Sequence, residues 1–182
     1  MTGPDQLDRR GLPPLAWALD NGAWGAFSRG ETWSADAFRR ALDRWGEGAD
    51  WIVLPDIVAG GRASLDLSLS WLDEVAAAGR PMLLAVQDGI TAADVRTYLG
   101  GGVGVFVGGS TDWKWRTVSE WAALGREIGC HVHVGRVNSA RRIRLCADLG
   151  VTSTDGTSAT MFAESTPRLA CAAASKPHPM LF

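Results

Sequence analysis

Six short polar clusters punctuate the chain, each directly after an apolar run. They are Asp20, Asp56, Gln87 with Asp88, Gly108-Gly109, Arg136 with Asn138, and Asp155. A carboxylate can accept hydrogen bonds from N1–H and the 2-amino group of a guanine edge, while an amide and a backbone N–H can satisfy O6. A further carboxylate can attack an anomeric carbon, as in retaining glycosyl transfer. Brought together, these residues would bind a purine and hold a nucleophile beside it. Singly, each has a plainer reading. Asp20 before Asn21-Gly22 and Asp155 before Gly156 suit turns, Asp56 could cap a helix, and Gly108-Gly109 could serve only a tight bend. Their joint placement at successive strand ends separates them from ordinary turn residues.

The elements that must position them alternate. Leu15 to Leu19, Trp51 to Leu54, Met82 to Val86, Gly104 to Val107, His131 to Val134 and Val151 to Thr154 read as buried strands. Between them, Phe38, Leu42 and Trp45 follow a helix start at Ser34. Leu65, Leu69, Leu72 and Val75 share one face of a helix expected from Ser64 to Ala78. Thr91 opens a helix through Leu99, Thr117 to Ile128 forms another around Val118, Trp121 and Leu124, and Ser139 opens one through Leu149.

Nearly continuous apolar strands alternating with helices predict an α/β fold with a parallel sheet covered on both sides. An open doubly wound sheet would gather its polar residues at one switch point. Here every strand end carries some, which favours a compact (β/α) barrel of the TIM type, with the active site at the C-terminal ends of the strands. At 182 residues the chain suits a single domain spanning 1–182. A full eight-fold barrel usually takes about 200 residues or more, so the barrel must be pared down.

The formal net charge of −2 lends no support to nucleic-acid binding, although Arg136, Arg141, Arg142 and Arg144 cluster; they equally suit a solvated helix face. Three scattered cysteines argue against a disulfide framework and fit a reducing compartment. His131 and His133 alternate along a strand and are expected on opposite faces, so a metal site is not expected. Most of the nine tryptophans should pack in the core, leaving one or two near loops that could stack on a base. No apolar stretch is long enough to cross a bilayer and no signal peptide is apparent. A cytoplasmic protein is the expectation.

In order, Leu19-Asp20-Asn21-Gly22, Pro55-Asp56, Ala85-Val86-Gln87-Asp88-Gly89, Phe106-Val107-Gly108-Gly109, Val134-Gly135-Arg136 and Thr154-Asp155-Gly156 resemble the tRNA-guanine transglycosylases. They look still more like the DNA-acting relatives in phage and bacterial genome-modification systems, which insert 7-deazaguanines. The likeness spans roughly residues 15 to 160. It implies Asp155 as the nucleophile that forms a covalent glycosyl-enzyme, and Asp20 as general acid/base at the base nitrogen. It further implies Asp56 on the guanine edge, with Gln87 and the Gly109 N–H on its carbonyl side. Arg136 and Asn138 are placed near a phosphate or the sugar.

The tRNA-acting members carry a C-terminal zinc site of three cysteines and a histidine. Only Cys171 and His178 stand in that region here, which moves the expected acceptor from tRNA to DNA. Guanine or a preQ0-like 7-deazaguanine is the expected base, and no cofactor is needed. Two alternatives remain: base exchange on a free nucleoside or nucleotide, and a non-catalytic purine-binding module. The oligomeric state stays open, a homodimer included.

Overall fold

A computed structural model describes residues 17–156, 166–174 and 180–181. Among the described residues seven parallel strands pair strictly in chain order: β1 (Ala18–Leu19), β2 (Trp51–Val53), β3 (Met82–Val86), β4 (Val103–Val107), β5 (Val132–Val134), β6 (Ser153–Thr154) and β7 (Met180–Leu181). Between them run α1 (Ala23–Ser28), α2 (Ala35–Trp45), α3 (Gly61–Ser70), α4 (Leu72–Ala76), α5 (Ala92–Val95), α6 (Thr111–Ile128), α7 (Ala140–Asp148) and α8 (Thr166–Ala174). Parallel neighbours in strict sequence require every crossover to run the same way round, which gathers the helices on one side of the sheet. The bare side then curls inward. Strands β1 to β6 form a half-barrel, and β7 extends its far edge.

Strand alternation sorts the apolar side chains between the two sides. Ile52, Leu54, Leu84, Val86, Val105, Val107, Val132 and Val134 join the large core under the helices. Trp51, Val53 and Leu83, with Ala18 and Phe106, form a smaller cluster inside the curl. Truncating a residue of the outer set such as Leu84 to alanine would cost about 2–5 kcal/mol.

Several local expectations are corrected. The helix expected from Ser64 to Ala78 starts at Gly61 and breaks at Trp71, whose ring packs edge-on against Phe38 and Trp33. The Thr91 helix keeps its capping box but passes into a 3-10 turn at Arg96–Tyr98. The helix expected from Thr117 begins at Thr111, where Ser110 Oγ accepts from the Trp113 N–H. The short helix α1, directly after the Asp20 cluster, was not anticipated, nor were α8 and β7. Leu15 and Ala16, part of the first expected strand, lie outside the described residues.

Candidate active site

Asp20 and Asp155 follow strands β1 and β6 directly, and the Asp155 charge reaches Asp20. Asp20 stays open to solvent although protein surrounds it on most sides. Burial raises its pKa and the Asp155 charge adds to this, outweighing hydrogen bonds from the Gly22 and Asn21 backbones and the pull of His133.

Asp155 goes the other way. Burial alone would raise its pKa, but the hydrogen bond and charge of His133, the Arg136 backbone N–H and the Lys114 charge together hold it below the usual carboxylate value. His133 Nε2 lies 3.1 Å from Asp155 Oδ1, and the Arg136 N–H donates to the same oxygen at 3.0 Å. Oδ2 makes no hydrogen bond among the described residues, so one oxygen is anchored and the other is free.

Asp56, half-buried at the end of β2, is held by Asn21, whose Nδ2 donates to it at 2.8 Å and to the Leu54 carbonyl at 2.7 Å. Burial raises the Asp56 pKa, the Asn21 bond opposes this, and the Asp20 charge adds to the rise. Asp56 caps no helix, since α3 starts at Gly61.

Gln87 is buried, and its amide hydrogens go to the Ile57 carbonyl and the Ser64 hydroxyl. As placed, it ties the β2 loop to β3, and its donors do not face the mouth. Its neighbour Asp88 accepts from both the N–H and hydroxyl of Ser110, at 2.6 Å each, fixing the turn that contains Gly108 and Gly109. The Gly108 N–H continues the sheet ladder to Val86. The Gly109 N–H has no partner among the described residues. Gly109 has φ +71°, and a Cβ there would lie 2.7 Å from the Trp113 ring and 2.8 Å from Asp88 Oδ2, so this turn admits only glycine.

Arg136 has φ +57°, rare for a residue with a side chain. Its backbone serves Asp155 while its guanidinium donates to the Gly109 carbonyl and lies 4.7 Å over the exposed Trp24 ring. It therefore spans the mouth from the β4 loop to α1. Asn138 is exposed beside Gly156, where a Cβ would come within 2.7 Å of its Oδ1. The remaining arginines disperse: Arg142 stacks over Trp115 at 4.6 Å, and Arg141 and Arg144 are exposed.

The structure overturns one expectation outright. His131 and His133 are two residues apart, and the two-residue period of a strand puts them on the same face. Both rings reach the Ser153 hydroxyl, at 2.6 and 2.8 Å. His133 is 1% exposed, stacked on Phe106 and tilted against Trp51, each ring centroid 4.8 Å away. Lys114 was also missed. It is fully buried, its Nζ donates to the Gly135 carbonyl, and burial lowers its pKa to about 8. Among the described residues no group of three histidine, cysteine or acidic side chains could hold a metal ion; His178 lies outside them. No described helix is long and apolar enough to cross a membrane.

No family model matches the chain, and no curated protein matches it.

Proposed function

We propose that the protein is a transglycosylase that exchanges guanine for a 7-deazaguanine on DNA through a covalent aspartyl-glycosyl intermediate. The observation that carries this reading is the pair Asp20 and Asp155, two carboxylates in one concavity whose surroundings push their pKa values in opposite directions. Such divergence marks an acid/base beside a group that stays ionised. Asp155 Oδ2 attacks C1′, the C1′–N9 bond breaks, and Asp20 delivers its proton to the departing base. The incoming base returns a proton to Asp20 as its N9 attacks C1′, the C1′–O bond breaks, and the Asp155 carboxylate is restored. Two inversions give retention. Asp56 and the Gly109 N–H suit the two sides of a guanine edge. A target inside a duplex must first be flipped out of the stack.

The formal charge of −2 favours a second reading, in which the acceptor is a free nucleoside. The exposed Trp24 and Phe27 beside the mouth favour a polynucleotide. The deciding experiment supplies labelled guanine or preQ0 with DNA, tRNA or deoxyguanosine and analyses the nucleosides formed. Label entering DNA supports the first reading and label in free nucleoside the second. Base binding with no exchange anywhere would leave a purine-binding module.

A further inference from the structure

We propose that His133, with Ser153 and His131 behind it, forms a one-directional hydrogen-bond relay that positions Asp155, so that Oδ1 is held and Oδ2 is the attacking oxygen. The attacking role rests on the transglycosylase reading; the relay itself does not.

With the His133 ring neutral, proton counting sets the direction. Ser153 carries one hydroxyl proton yet sits 2.6 Å from His131 Nε2 and 2.8 Å from His133 Nδ1. It can donate to one ring and must accept from the other. At the far end, the Asp155 carboxylate only accepts, so His133 carries its proton on Nε2. In a neutral imidazole Nδ1 is then bare and takes the Ser153 hydroxyl proton. Ser153 in turn accepts from His131 Nε2–H. All three bonds point toward the carboxylate. Protonating His133 at Nδ1 would turn the Ser153 hydroxyl round and drive the His131 proton to Nδ1, so the chain has two discrete arrangements.

Burial enforces the geometry. Ser153 is fully buried and His133 nearly so, and the Trp51 and Phe106 rings fix the plane of the imidazole between them. No solvent can replace a missing partner here. His131, held neutral down to about pH 4 by burial and then by the nearby His133, supplies a donor and no charge. The charged groups facing Asp155 are Asp20 from β1, Lys114 from α6 and Arg136 from the β5 loop. The second hydrogen bond on Oδ1, from Arg136 N–H, adds to the asymmetry between the two carboxylate oxygens. His133 is thus a positioning residue acting through Asp155.

The test is NMR of the resting protein, with ¹⁵N on the histidine rings and ¹³C on the aspartate carboxyls. The neutral form of each ring should carry its proton on Nε2. His133→Leu should raise the Asp155 titration midpoint, and His133→Gln, which keeps an N–H donor, should recover part of that rise. Ser153→Ala deletes one oxygen and should scramble the His131 tautomer. His133 found with its neutral proton on Nδ1 overturns the relay in the wild type alone, even if the leucine variant does not fold. A folded His133→Leu with an unmoved Asp155 midpoint overturns it too. None of these readouts needs catalysis, so a protein with the relay but no base exchange would refute only the transglycosylase reading.

Discussion

Asn21 and Asp56 are joined at 2.8 Å, and the same amide nitrogen reaches the Leu54 carbonyl at 2.7 Å. Asn21 Oδ1 accepts from the Ala23 N–H, so one side chain ties the end of β1, the end of β2 and the start of α1 together. Asn21→Ala should therefore cost about 1–3 kcal/mol of stability. It also removes the bond that restrains the Asp56 pKa, so guanine affinity should fall more steeply on acidification than in the wild type. Calorimetric titration with guanine across pH reads this, and an unchanged pH profile would detach Asn21 from the carboxylate.

The opposed shifts of Asp20 and Asp155 predict half-reactions with opposite pH dependence. On the transglycosylase reading, release of guanine needs Asp20 protonated and Asp155 ionised, so it should slow as pH rises through the raised Asp20 pKa. Attack by the incoming base needs Asp20 ionised and should quicken over the same interval. Single-turnover measurements of each half-reaction test this. Parallel pH profiles would remove Asp20 from the proton-carrying role.

Arg136→Gly and Arg136→Ala both lose the bridge to Trp24 and Gly109, but only alanine retains a side chain at φ +57°. The glycine variant should be the more stable of the two by about 1 kcal/mol. Both keep the N–H on Asp155 and should open the mouth, which would be read as faster uptake of base. Equal denaturation midpoints in the two variants would contradict the backbone argument.

Lys114 links stability to pH with a definite sign. Its pKa is about 8 in the folded protein against an ordinary 10.5, so between those values the unfolded chain binds the extra proton. Stability from this group is present above about pH 10.5 and is lost as pH falls through about 8. The drop from 10.5 to about 8 sets a ceiling of about 3 kcal/mol. Denaturation of the wild type and Lys114→Met across that window should show the wild type gaining on the variant as pH rises. A constant difference would show that Lys114 keeps its ordinary pKa in the folded protein.

Trp24 and Phe27 lie 5.8 Å apart on α1 and are 50% and 57% exposed. Replacing both with alanine should change stability by roughly 0.5 kcal/mol or less. If they stack on bases flanking the target, exchange on DNA should fall about 10- to 100-fold while exchange on a nucleoside holds, since each stacked base contributes about 1–3 kcal/mol. An equal loss on both acceptors would mean that the aromatic pair only shapes the pocket.

The strands were legible because continuous apolar runs ending in polar clusters leave little ambiguity, and six of the seven fall where those runs lie. Helix α1 was hidden because six residues are too few to display a period. The break at Trp71 answers to Phe38 and Trp33, which are distant in sequence. Lys114 escaped notice because Ser110, not a residue near Thr117, caps its helix. The His131–His133 pair was legible and was misread: residues two apart share a strand face, and that parity applied to Ser153 and Asp155 outlines the whole buried relay.

Strictly sequential pairing also bears on how the chain reaches its active form. Each strand docks on the one made just before it, so folding can advance from the N-terminal end during synthesis. The two opposed carboxylates are the exception, because Asp20 arrives with the first strand and Asp155 with the sixth. Until the sixth strand has joined the curled sheet, a nascent or truncated chain does not bring the two carboxylates to one concavity. On the transglycosylase reading, chemistry that cuts a glycosidic bond is thereby withheld from any half-made molecule.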